Sequence, residues 1–130
     1  MSNEKQYFTP VEILEDILDV LESGYDGPME ELHNEVFNTG YYIIGTWLAK
    51  QALTEFGVFD AIDKVQTWER DNIGELYTDV SDPEKLANML YFVLGEMIMF
   101  DLQLDECEVP EAIDIVKARL EQEIKEEAGE

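Results

Sequence analysis

Apolar residues recur along this chain at three- and four-residue intervals, the period of a helix rather than a strand. The first stripe is Val11, Ile13, Leu14, Ile17, Leu18, Val20 and Leu21, with Glu12, Glu15, Asp16, Asp19 and Glu22 on the other side. Thr9 is placed to cap this helix, Pro10 to occupy its first position and Glu12 to complete a capping box. Gly24 is its stop. After a turn at Tyr25-Asp26-Gly27-Pro28, a short helix over 28–37 turns Met29, Leu32, Val36 and Phe37 inward. Asn38-Thr39-Gly40 is a break or a kink.

The window over 38–56, NTGYYIIGTWLAKQALTEF, is the most apolar and aromatic stretch of the first half. Tyr41, Tyr42, Ile43, Ile44, Trp47, Leu48, Ala52, Leu53 and Phe56 cover well over half of a helix circumference. A helix over 41–55 must therefore be surrounded by other helices or pack into a partner. Strand propensity in YYII competes with this reading, but TWLAKQAL favours helix. Gly45 is expected at a close contact, and Gly57 ends the element. Val58, Phe59, Ile62, Val65 and Trp68 recur at helical spacing over 58–70. Residues 71–80 (DNIGELYTDV) lack a period and predict a loop, with a short extended piece at 75–78.

Ser81, with Glu84 three residues on, predicts a capped start for a long helix over 82–104. Its expected buried stripe is Leu86, Met89, Leu90, Val93, Leu94, Met97, Ile98 and Leu102, and Gly95 allows a close helix crossing. A turn at 105–109 leads to Pro110, which opens a last helix over 110–126 with Ile113, Val116, Leu120 and Ile124 inward. The pattern predicts an all-α fold: a single-domain bundle of about five to six helices around a central aromatic-rich helix. One domain spans 1–130, with 1–8 and 127–130 frayed.

Composition changes the picture through charge. There are 31 acidic residues against 8 Lys and Arg, a net charge of -23. Solubility needs far less, and self-repulsion at that level costs stability. Such a surface repels nucleic acid and anionic membrane and attracts basic proteins. Apolar content of 45% is too high for a disordered acidic tail. A single Cys107 excludes an internal disulfide and a Cys-rich zinc site and fits a reducing, cytoplasmic location. Met1 to Thr9 has no apolar core, which predicts no signal peptide. No apolar run reaches the roughly 18 residues that span a bilayer.

Candidate chemistry is thin. Glu30-Glu31-Leu32-His33 has the Glu-x-x-His spacing of carboxylate-bridged metal bundles. The chain has one histidine, so a second copy of the motif requires a symmetric dimer. Residues 71–82 are rich in carboxylates, but Ile73 stands where a calcium ligand belongs and Gly74 comes too early. Cys107 lies between Glu106 and Glu108, which raises its pKa and weakens it as a nucleophile. No Gly-rich phosphate loop and no basic groove is present, so neither a nucleotide cofactor nor direct nucleic-acid binding is expected. The reading is of a protein that is not an enzyme and holds no cofactor.

The distribution of charge carries more. Between Gln6 and Ala49 there are nine acidic residues and no Lys or Arg, and between Leu86 and Val116 seven acidic residues and again no basic one. Solvated helices ordinarily mix signs, because i, i+4 pairs stabilise them by about 0.2–0.5 kcal/mol each. Outward carboxylates on one helix face stand about 5–6 Å apart, while DNA carries one phosphate per roughly 3.4 Å of each strand. A row of helix carboxylates thus approximates a stretch of phosphate backbone. Glu12, Glu15, Asp16, Asp19, Glu22, Glu30, Glu31 and Glu35 are the expected partner-binding acids. Tyr41, Tyr42 and Trp47 are the expected aromatic surface, available for a homodimer or a protein partner.

The blocks Leu32-His33-Asn34-Glu35-Val36-Phe37-Asn38-Thr39, Tyr41-Tyr42-Ile43-Ile44-Gly45, Asp71-Asn72-Ile73-Gly74-Glu75 and Thr78-Asp79-Val80-Ser81-Asp82-Pro83-Glu84-Lys85 resemble a group of small, acidic, uncharacterised bacteriophage proteins. The resemblance covers roughly residues 30–100 and carries no established chemistry. In size, charge and class the chain is also similar to anti-restriction and anti-CRISPR inhibitors that imitate DNA. That likeness implies a partner in the host cytoplasm: a nucleic-acid-binding or defence protein with a basic cleft. A dimeric adaptor and a dimeric metal-binding bundle are the alternatives.

Overall fold

The computed structural model describes residues 8–40 and 45–127, with the side chains of 33, 38–40 and 127 left aside. Among these residues are six α-helices and no strand, so the fold is all-α: α1 (Pro10–Glu22), α2 (Leu32–Gly40), α3 (Gly45–Phe56), α4 (Val58–Asn72), α5 (Pro83–Leu102) and α6 (Val109–Glu127). Single 3-10 turns lie at Met29–Glu31 and Leu104–Glu106. The chain forms two compact units, each discontinuous in sequence. The first comprises 1–8 with 41–94, the second 9–40 with 95–130.

In the second unit, α1 packs against both α6 and α2. Thr9 has extended backbone, and its Oγ1 accepts from the Glu12 N–H at 3.2 Å, satisfying one free donor of the first turn. Ile13, Leu14, Ile17, Val20 and Leu21 are buried beneath it. Gly24, with φ of +97°, reverses the chain after α1, as its position in sequence suggests. On α6, Ala112 and Val116 are buried, while Ile124 is largely exposed. The two 3-10 turns pack against each other.

In the first unit, α3 packs on α4 and buries Ala49, Ala52 and Leu53. Trp68 of α4 meets Phe92 of α5 edge-on, with ring centroids 5.5 Å apart. At the start of α3 the Thr46 hydroxyl donates to Glu84 at 2.6 Å. Phe8, expected in a frayed end, is instead buried with its ring edge-on to Phe56 at 5.8 Å. Glu127, also expected to fray, is the last residue of α6; the remaining frayed-end expectations, at 1–7 and 128–130, fall outside the described residues.

Several other expectations are corrected. Of the break or kink expected at Asn38-Thr39-Gly40, a break is absent, because α2 continues through Gly40. Within the described residues α3 starts at Gly45; the expected start at 41, with Tyr41 and Tyr42, lies outside the described residues. Among the described residues Gly45 makes no close contact: a Cβ there would meet nothing within 4 Å. What Gly45 supplies is a φ of +82°, a left-handed conformation that side chains disfavour. On α4 the buried face is Ala61, Val65 and Glu69, one step round from the expected stripe, and Phe59 is 87% exposed. Met97, placed in the buried stripe of α5, is 48% exposed.

The cap of α5 is Asp82 rather than Ser81. Asp82 Oδ1 accepts from the N–H groups of Glu84 (3.0 Å) and Lys85 (3.4 Å). Ser81 is held instead by Asp79, whose Oδ1 accepts from both the Ser81 N–H (3.0 Å) and hydroxyl (2.6 Å). Both Ser81 and Asp82 have capping side chains; Pro83 decides between them, because proline sits at the first helical position and makes the residue before it the cap.

Candidate functional site

Acidity is segregated between the two units. The unit formed by 9–40 and 95–130 holds 21 acidic residues against 3 basic ones, the other 10 against 5. Most of the net charge therefore belongs to the α1–α2–α6 unit.

Within it, Glu15, Asp19 and Glu22 are exposed along α1 and Glu12 is half-exposed. At a rise of about 1.5 Å per residue, Glu15, Asp19 and Glu22 follow one another every 4.5–6 Å along the axis. Glu30, Glu31 and Glu35 are exposed on the turn and helix that follow. Asp16 does not join them. It is 7% exposed, because its position shares a face with Ile13, Ile17 and Val20, which point into the core. Of the expected partner-binding acids, the others named here reach the surface and Asp16 is withdrawn from that set.

A polar groove of about 450 Å³ opens between the end of α1 and α2, lined by residues that include Val20, Tyr25, Asp26, Glu31, Asn34 and Glu35. Tyr25 spans its edge and donates its hydroxyl to the Pro28 carbonyl at 2.5 Å. Gly27 permits this approach, since a Cβ there would stand 2.9 Å from the Tyr25 hydroxyl. Burial raises the Tyr25 pKa above its ordinary value, and Glu31, Glu35 and Asp26 raise it further. Asp26, which sequence reasoning did not single out, thus contributes to the same negative field as Glu31 and Glu35.

α1 has no Lys or Arg and α5 has none after Lys85; basic partners for both arrive from α6. Lys117 Nζ lies 3.2 Å from Glu22, and Arg119 Nη1 lies 3.2 Å from Asp101. Both pairs are at least partly exposed and each contributes at most about 1 kcal/mol. Glu22 is accordingly paired at one end of the acidic row, while the i, i+4 pairing considered from sequence could not have found Lys117.

Trp47 is 71% exposed near the start of α3. Of the two outcomes open to it, burial in the core or display at the surface, it takes the second. The loop after α4 exposes Ile73, Leu76 and Tyr77 but is firmly tied down. The Glu69 side chain is 0% exposed, and its carboxyl accepts from the Tyr77 N–H (3.0 Å), the Thr78 N–H (3.4 Å) and the Thr78 hydroxyl (2.5 Å). Its main-chain carbonyl accepts from Ile73 and Gly74, closing α4 with Gly74 at φ of +92°. One residue therefore ends the helix and anchors the loop.

For chemistry the site offers little. The Cys107 pKa is raised by burial first and then by Glu111, Glu106 and Asp105, which leaves a poor nucleophile. The direction matches the sequence reading, but Glu111, one helical turn on, replaces Glu108 among the causes. Among the described residues no group of three or more His, Cys, Asp or Glu side chains is placed to hold a metal ion. The His33 side chain lies outside the described residues. Also among them, no helix is long and apolar enough to cross a membrane. Comparison of the chain with protein families, with curated proteins and with solved structures finds no match.

Proposed function

We propose that this chain is a non-catalytic, phage-encoded binding protein that acts in the host cytoplasm. It occupies the basic cleft of a host nucleic-acid-binding or defence protein and inhibits it by presenting a DNA-like acidic surface. The observation that carries this reading is the exposed row Glu15, Asp19 and Glu22 on α1, continued by Glu31 and Glu35, on the unit that holds 21 of the 31 acidic residues. The mechanism is electrostatic: long-range attraction steers the partner in, and the carboxylates then take the positions of phosphates. Nucleic acid itself is repelled and is not a ligand.

The test is a pull-down with the tagged chain from nuclease-treated bacterial lysate, washed at about 50 and about 300 mM salt, across which exposed charge–charge attraction is strongly screened. Nucleic-acid-binding proteins retained at low salt and lost at high salt support the reading. Unchanged capture by a variant with Glu15, Asp19, Glu31 and Glu35 converted to Gln or Asn sinks it.

A second reading, favoured by the exposure of Trp47, is an adaptor or homodimer that binds through an aromatic surface. It requires salt-resistant association that Trp47→Ala abolishes.

A further inference from the structure

We propose that the exposed apolar face at the end of α5, centred on Phe100, docks a cationic amphipathic helix of a protein partner. This surface is separate from the acidic row of α1 and stands without it.

Phe100 is 81% exposed in the last turn of α5, with Met97 one turn earlier on the same face, 48% exposed. Phe100 stands in water and Met97 half in water, three residues apart on one face, so together they leave apolar surface unburied. Phe100 lines two depressions. One, of about 110 Å³, is formed by Met29, Glu30, Glu96, Met99, Phe100 and Asp105. The other, wider and about 580 Å³, adds Met97, Ile98, Asp101 and Gln103. Met29 and Glu30 of the first 3-10 turn and Asp105 of the second line the smaller depression where the two turns pack together, and Gln103, with φ of +55°, turns the chain after α5.

Charge names the occupant. The apolar lining has Met29, Met97, Met99 and Phe100, and the rim has Glu30, Glu96 and Asp105, with Asp101 already paired to Arg119. No Lys or Arg lines either depression. Methionine side chains adapt to the shape of a bound apolar face, and an aromatic anchor in a partly enclosed site is the common form of a binding hot spot. A helix with an apolar stripe and flanking Lys or Arg satisfies floor and rim together. A second copy of this chain does not, because it brings another net charge of -23 against the same carboxylates. An anionic membrane surface is repelled for the same reason.

The experiment uses the full chain and a dye-labelled Leu/Lys peptide of about 18 residues, long enough to form an amphipathic helix on binding. Its comparison is a scrambled peptide of equal charge without an apolar face. Fluorescence anisotropy at about 150 mM salt, where unspecific attraction is damped, should show the amphipathic peptide binding about tenfold or more tightly than the scrambled one. Phe100→Asp combined with Met97→Asp should remove that preference, while the scrambled peptide, drawn by charge alone, should bind no more weakly than to the parent. Both residues are exposed, so helical content and melting temperature should stay as in the parent. The Glu15/Asp19/Glu31/Glu35 variant should keep the preference, which separates this surface from the acidic row. Equal binding of the two peptides by the parent chain, or a preference surviving Phe100→Asp, overturns the proposal. So does sedimentation of the parent as a dimer that Phe100→Asp dissolves, which would assign the face to a second copy.

Discussion

Two carboxylate residues, Glu69 and Asp19, mark the contrast between the two units. In the 41–94 unit, Glu69 is fully buried, and three donors from the following loop converge on it. In the α1–α2–α6 unit, Asp19 stands in water in a row of like charges. A buried carboxyl costs stability unless hydrogen bonds replace its hydration, and once they do, its removal strands the donors. An exposed carboxyl costs only repulsion, which salt screens. Acidity thus serves structure in one unit and, in our proposal, recognition in the other. Net charge alone does not distinguish them.

The largest effect that sharpens this contrast is expected at Glu69. Glu69→Ala should destabilise by about 3 kcal/mol in urea titration, since it leaves Tyr77 and Thr78 donors without an acceptor and opens a cavity. Glu69→Gln should cost less, because one oxygen still accepts. A Glu69→Ala protein that melts with its parent breaks the comparison. Next in size, neutralising Glu15, Asp19, Glu31 and Glu35 should weaken capture of a basic partner about tenfold at low salt. The same change should leave stability equal or raised. Asp16→Asn should do the reverse, moving the melting temperature while leaving capture alone, because Asp16 is buried.

Smaller effects probe the joints. Thr9→Ala and Asp82→Ala should each cost about 1 kcal/mol by the loss of a helix cap, whereas Ser81→Ala should cost less, as the cap belongs to Asp82. Lys117→Ala should cost under about 0.5 kcal/mol and lose even that at high salt, since its pair with Glu22 is exposed.

The smallest expected effect is in pH dependence. Glu96 has its pKa raised, by burial first and then by Asp105. A raised acid binds its proton more tightly in the folded chain, so this group opposes folding above its folded pKa, and the penalty fades as pH falls toward the unfolded value. Asp79, lowered by the Ser81 hydroxyl and N–H, has the opposite sign: its contribution is present above the unfolded pKa and is lost as pH falls through the folded one. Melting curves from about pH 7 to about pH 3 should flatten in the upper part of that range for Glu96→Gln and in the lower part for Asp79→Asn. Profiles that superimpose on the parent's contradict both assignments.

Much of the fold is legible in the residues themselves. Helical period, the Thr9-Pro10 start, the stop at Gly24 and the breaks at Gly57 and after α5 depend on backbone and side chains within a turn of one another, so the local sequence determines them. The all-α class follows from these. The candidate site is legible in part: the exposed acids of α1 and α2 follow from a stripe whose apolar side must face inward. Asp16 escapes that logic because a stripe has a width. A residue at its margin is buried or exposed according to how closely α2 and α6 pack on α1, and no local pattern contains that distance. Met97 and Phe59 illustrate the converse. Both fit an apolar period, yet neither is covered.

What tertiary structure alone decided involves residues far apart in the chain. Lys117 meets Glu22, Arg119 meets Asp101, and the two 3-10 turns meet beside Phe100. The burial of Glu69 lies between these cases: its partners are only eight and nine residues away. Yet whether water is removed from it depends on what packs over α4. Sequence determines which groups are available and the period at which they recur. Desolvation, which turns the same carboxyl into an anchor or into a recognition group, belongs to the assembled fold.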